Sequence, residues 1–240
     1  MGFAFRGFGF GVAWIIGGWL GYSKGVGLRT FALSAGVQNF GFTGIPVVQQ
    51  MWGTGALAVM FVHNLGVEVA IWSVGVMLIS GEKKVPWGRL VNGPMISVVL
   101  GLSLVGLGLD EKVTGPARQA MSWLGVGAFP VALFVTGGVM MDLVGSDRFS
   151  WKATLGGCLV RLAVIPLIML VVTRLVPAPE SLKQVVLVQA AMPAAMTPIL
   201  LAKIYGGRPA VAVEIVVATT ITSLVTLPFV LLWGRAWLGL

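Results

Sequence analysis

Gln38-Asn39-Phe40-Gly41-Phe42-Thr43-Gly44-Ile45-Pro46 lies in the middle of an apolar run over residues 28–52 that otherwise reads as a membrane helix. Glycine lowers the cost of leaving helical geometry, and proline removes a backbone donor and clashes with the preceding turn. Unwound backbone at membrane depth persists only where it is buried in protein or lines a wet cavity. A second run, 182–205, carries Gln189-Ala190-Ala191-Met192-Pro193-Ala194-Ala195-Met196-Thr197-Pro198 at its centre. After Pro46 the chain continues Val-Val-Gln-Gln-Met-Trp-Gly, and after Pro198 it continues Ile-Leu-Leu-Ala-Lys-Ile-Tyr-Gly, the same pattern with one extra residue. Interrupted hydrophobic segments in corresponding positions of two halves point to a transporter binding site. The spans between Pro46 and Pro198 make the two copies enter the membrane from opposite sides, as an inverted repeat.

The rest of the chain agrees with a lipid environment. Of 240 residues, 57% are apolar and 10% charged, against about 25% charged in a soluble domain. A hydrocarbon core asks for about 20 apolar residues per helix. Charge clusters and Gly/Pro punctuation define eight such segments, 4–22, 28–52, 55–80, 88–109, 116–142, 150–175, 182–205 and 209–234. A membrane β-barrel would alternate apolar and polar residues over segments of about ten, so the expected class is an all-α, multi-span bundle with inverted repeats and two broken crossover helices. The net charge of +8 does not indicate nucleic acid, because Lys and Arg fall mostly at the ends of apolar runs. Cys158 is alone, which excludes a disulfide framework or a CxxC site. Arg6 precedes an apolar run without an A-x-A-like cleavage site, and that run is read as the first span.

Alternate connections divide the basic residues unevenly. Lys24, Arg29, Lys83, Lys84, Arg89, Arg148, Lys152, Lys203 and Arg208 fall on one side, and Arg6, Lys112, Arg118, Arg174, Lys183 and Arg235 on the other. The richer side is expected to be cytoplasmic, which puts both termini outside a cell membrane. The expected organisation is a first repeat of three spans over 1–80, a cytoplasmic loop over 81–89 and a second repeat of five spans over 90–240.

Asn39-Phe-Gly-Phe-Thr-Gly-Ile-Pro46 resembles the N-x-x-x-x-G-[ILM]-P signature of the auxin efflux carrier family. Gln189-Ala-Ala-Met-Pro193, Thr197-Pro198 and Lys203-Ile-Tyr205 resemble its second crossover helix. Thr226-Leu-Pro228, Asn92-Gly-Pro94 and Phe129-Pro130-Val-Ala-Leu-Phe are similar to other family spans. The resemblance implies two inverted five-helix repeats whose broken helices cross near the midplane. It also implies carriage of small organic anions, since bacterial relatives are linked to malate, malonate and similar carboxylates. Three spans rather than five precede the central loop, so on this resemblance the first two family helices would be absent. Spans one to three and six to eight would form the transport domain.

Four residues are candidates for substrate contact. Asn39 can donate to a carboxylate at a positive half-helix end, or it can simply satisfy backbone groups opened by the break. Thr43, Gln189 and Thr197 can complete a polar ring, or make ordinary interhelical hydrogen bonds. Gly44, Pro46, Pro193 and Pro198 shape the backbone. Glu68, four residues after Asn64, is a proton relay or an ion-pair partner, with Arg161 or water opposite it. His63, the only histidine, is a weaker candidate for protonation. Glu214 reads as interfacial. Thr219, Thr222, Ser223 and Thr226 read as a helix-packing stripe, and Gly7, Gly11, Gly17 and Gly21 as small residues for close approach.

With no HExxH, nucleophile elbow or His/Cys/acid cluster, an intramembrane enzyme has no candidate site. No metal or cofactor is expected. The expected function is a secondary carrier of small carboxylate-type anions in the bilayer, possible as a homodimer, with no nucleic-acid partner. The alternative is an inactive or regulatory membrane subunit or a truncated carrier fragment.

Overall fold

The first apolar run folds as helix α1 (Gly2–Trp19), and the second opens with α2 (Val26–Gly36), which stops at an extended Val37. This computed structural model describes residues 1–23, 25–82, 84, 88, 91, 93–143 and 150–240. After the stop the chain re-enters helix through a wide π turn, Phe40–Gly44, and continues as α3 (Ile45–Ala70). Gly53 interrupts α3 with φ 73° and ψ −161°. That backbone is open to glycine and strained for any L side chain, so the second segment ends there and the third begins. A second π turn, Ile71–Gly75, leads into α4 (Val76–Ser80).

Two helices, α5 (Gly93–Gly106) and α6 (Gly115–Leu143), follow, joined by a 3-10 turn at Asp110–Lys112. Next come α7 (Trp151–Leu159), a π turn at Val160–Val164 and α8 (Ile165–Leu175), which together make one span. Pro166 has no N–H to return to the turn before it, and the widened turn lies just upstream. The last elements are α9 (Glu180–Ala191), α10 (Thr197–Ile204) and α11 (Pro209–Leu238). Among the described residues the chain is helical with no strand. The helices Phe40–Ser80, Trp151–Leu175 and Pro209–Leu238 are long and apolar enough to cross a membrane. The expected all-α membrane bundle with two broken helices is therefore the fold observed.

Burial divides the molecule in two. Phe31, Leu33, Met60, Leu170, Leu187, Val188, Ile199 and Ile215 are among the fully covered residues of α2, α3 and α8–α11. On α5 and α6, by contrast, Leu100, Val105, Trp123, Leu124, Val126 and Phe134 are exposed apolar side chains. The core is thus built from the segments before and after the central pair.

Two readings of the sequence need correction. Arg6, expected as a topology charge at a membrane surface, is 1% exposed, inside the bundle. Its guanidinium meets the end of α2, and a charge with a specific acceptor there is not a surface marker. Of the expected glycine stripe, Gly7 and Gly11 face open space, Gly17 lies against Leu28 and Phe31, and Gly21 has only the Lys152 amine beside it. The contact face of α1 carries Gly2, Gly9 and Gly17 instead, with Gly9 against the Gly36 carbonyl. Residues 83, 85–87 and 89 of the expected cytoplasmic loop, with Lys24, Asn92 and Arg148, lie outside the described residues.

Candidate functional site

Each break frees backbone groups that water cannot reach in a bilayer, so they must be paired within the protein. The two breaks pair with each other. Gln38 and Ala194 form an isolated antiparallel bridge. The Asn39 N–H donates to the Pro193 carbonyl at 2.8 Å, and the Ala195 N–H donates to the Val37 carbonyl at 2.7 Å. The antiparallel sense is what two copies inserted in opposite directions produce. Pro193 lacks an N–H, and its carbonyl is the acceptor in this ladder.

Side chains finish the pairing. The Asn39 Oδ1 accepts from the Phe42 N–H at 3.1 Å, which caps the helix that restarts at Phe40. Thr219 on α11 accepts from the Ala194 N–H at 3.1 Å, while its own hydroxyl donates to the Ile215 carbonyl at 2.7 Å. Pro198 stands in the first turn of its half-helix, where a missing N–H costs nothing, and Pro46 directly follows the π turn Phe40–Gly44, whose widened geometry accommodates the missing N–H. Gly44 is buried beside the Met60 methyl, where an added Cβ would come to 3.0 Å.

Gln189 joins the breaks to the third span. It is fully buried, and its Oε1 accepts from Gln38 Nε2 at 2.7 Å. Its Nε2 donates to Asn64 Oδ1 at 2.7 Å and meets His63 Nδ1 at 3.1 Å. Glu68, one turn beyond Asn64, accepts from Trp72 Nε1 at 2.9 Å.

At the N-terminal ends of both half-helices a cavity of about 130 Å³ is lined by Gln38, Asn39, Phe40, Gly41, Phe42, Ala195, Met196 and Thr197. Two of the four expected contact residues, Asn39 and Thr197, stand on this wall. Thr43 sits one turn further along and Gln189 lies behind the bridge, so neither lines the cavity. Neither Glu68 nor His63 lines the cavity: His63 is buried beside Gln189, and Glu68 is half-buried against Trp72. None of the lining residues is charged. The positive character there comes from two helix N-termini, each worth roughly half a unit charge.

Two residues that the structure brings to the crossover have no role there in the sequence reading. Gln38 stands in the motif without one, and Arg161 enters only as a partner for Glu68; its Nη2 donates to the Ala190 carbonyl at 3.2 Å. The signal available for both is polarity inside an apolar run. Thr219, a member of the stripe expected to hydrogen-bond across helices, does so at the second break. Glu214, read as interfacial, accepts the Ser150 N–H on both carboxylate oxygens, at 3.1 and 3.2 Å, where α7 begins.

Comparison with family models matches residues 77–231 to a family described as membrane transport protein. No curated protein matches the chain. The matched stretch holds the second break and the helices that support it, and the ladder ties the first break to it.

Proposed function

The chain belongs to the auxin efflux carrier family of membrane transport proteins, and from its crossover we propose that it carries small carboxylate anions by alternating access. The observation behind this reading is the uncharged cavity at two helix N-termini, with Asn39 and Thr197 on its wall. Such an end presents free backbone donors and a partial positive charge, which suits an anion and rejects a cation. A volume of about 130 Å³ is that of roughly four liquid waters at about 30 Å³ each, enough for a small carboxylate.

Asn39 is proposed to act in two capacities. Its Oδ1 is engaged by Phe42, leaving the Nδ2 donors for the substrate. Asn39→Ser keeps a capping oxygen and removes those donors. Carboxylate binding by the purified protein is expected to weaken by about 1.5–3 kcal/mol, typical of a hydrogen bond to a charged group, with thermal stability nearly unchanged. Unaltered binding in a folded Asn39→Ser protein would overturn the site.

The proposed setting is the cell membrane, crossed several times, with both termini outside. Single cysteines within 81–89 and within 110–115, on a background lacking Cys158, are then expected to label from opposite sides with an impermeant reagent. Same-side labelling would remove this topology.

A further inference from the structure

Two arginines occupy matching positions on the buried side of the crossover. Arg6, on α1, donates from Nη1 to the carbonyl of Gly36, the last residue of α2, at 2.7 Å. Arg161, in the span α7–α8, donates from Nη2 to the carbonyl of Ala190, next to last in α9. Both are fully buried, at 1% and 0% exposure. In the paired copies, then, the span preceding each broken helix sends a guanidinium to the C-terminal end of its first half.

Hydrogen bonding alone does not account for this choice. A guanidinium has five N–H donors and no acceptor, whereas one carbonyl needs one neutral donor. Arg6 Nε and Nη2, and Arg161 Nε and Nη1, meet no acceptor in the described structure. Burying a cation for a single bond to a carbonyl costs far more than a hydroxyl would, and a buried hydroxyl does serve a carbonyl nearby, Thr219 donating to Ile215 at 2.7 Å. What arginine adds is charge. A helix C-terminus carries roughly half a negative unit, and Glu68 is a further charged neighbour of Arg6, together with Arg161. Two guanidinium charges, two half-charges from helix ends and one carboxylate balance.

We propose that Arg6 and Arg161 are matched positioning residues that neutralise the C-terminal ends of the two half-helices, so that the positive N-terminal ends at the cavity decide the sign of the ligand. The second half of this statement rests on the carboxylate reading, and the first half does not. Gly36, which holds Arg6, is two residues from Gln38 on the cavity wall. At no more than about 3.8 Å per residue, the guanidinium is within roughly 12 Å of the Gln38 backbone on that wall. A unit charge at that distance in a medium of intermediate dielectric changes an ion's affinity by about tenfold or more.

The test uses the full chain in detergent with Arg6→Gln, Arg161→Gln, the two corresponding Lys variants and Glu68→Gln. Two readouts are taken: hydrogen exchange at 33–39 and 187–195, and binding of malonate. Each Gln variant keeps a donor but loses the charge. It is expected to speed exchange at its own break and weaken malonate about tenfold, while Lys restores both. Glu68→Gln, which removes a negative charge, is expected to tighten malonate, an opposite sign that a packing role cannot give. Wild-type exchange in the Gln variants, no rescue by Lys, or weaker malonate in Glu68→Gln would overturn the proposal. A Gln variant that fails to fold while its Lys counterpart folds supports it, and failure of both counts against it. If exchange follows charge while the wild-type protein binds no malonate, the neutralising role stands and the carboxylate reading falls.

Discussion

The two breaks do the same job with different materials. The first contains its own cap: Asn39 accepts the Phe42 N–H three residues on, and the helix restarts through the wide turn Phe40–Gly44. At the second, α10 begins at Thr197, and the residue before it, Met196, supplies no side-chain cap. Its freed N–H groups are taken by Thr219 of α11 and by Val37 of the first break. One break is thus finished by local sequence and the other by tertiary structure. A local cap costs little to evolve or to lose, whereas a cap borrowed from α11 ties the second break to the position of that helix.

Substitutions can break this contrast or sharpen it. The largest effect is expected from Gln189→Leu, since Gln38, Asn64 and His63 all lose a partner. At about 1–3 kcal/mol for each buried group left unsatisfied, a loss of about 3 kcal/mol or more should appear as a large drop in unfolding temperature. A mild drop would mean that the breaks do not depend on this hub. Thr219→Val should come next, at about 1–3 kcal/mol, with exchange accelerated at Ala194 and unchanged at Phe42. Acceleration at both amides would erase the distinction between borrowed and local caps. Asn39→Ala removes a local cap and should cost about 1 kcal/mol, with faster exchange at Phe42 and little change at Ala194. The smallest and most equal pair is Pro46→Ala and Pro198→Ala. Pro198 stands in a first turn and Pro46 follows a π turn that accommodates its missing N–H, so the loss is mainly of restraint on the unfolded chain, about 0.4–1 kcal/mol; unequal losses would show that one of them bears a tertiary strain.

The same division explains what the sequence made legible. Gly41, Gly44, Pro46, Pro193 and Pro198 act through their own backbone, so the positions of both breaks can be read within a few residues. Asn39 acts three residues away and is still within reach of pattern. Gln38 and Gln189 meet across 151 positions, and no spacing rule connects them. Arg6 looked like a boundary charge because a basic residue before an apolar run ordinarily marks an interface. Only the direction in which α1 turns that side chain, toward Gly36, shows otherwise. The stripe on α11 is legible as a set of hydroxyls that bond across helices, but not which of them meets the amide of the second break: nothing in its own helix distinguishes Thr219 from Thr222.

The antiparallel ladder also has a consequence for how the protein is made. Its two sides are about 150 residues apart, and synthesis at roughly 5–20 residues per second separates their appearance by about eight to thirty seconds. Through that interval the newborn first break has a local cap but no partner for its Asn39 N–H or its Val37 carbonyl. The insertion machinery must therefore shelter an open backbone until the second copy arrives, and any quality control that recognises unpaired amides in lipid has those seconds in which to act.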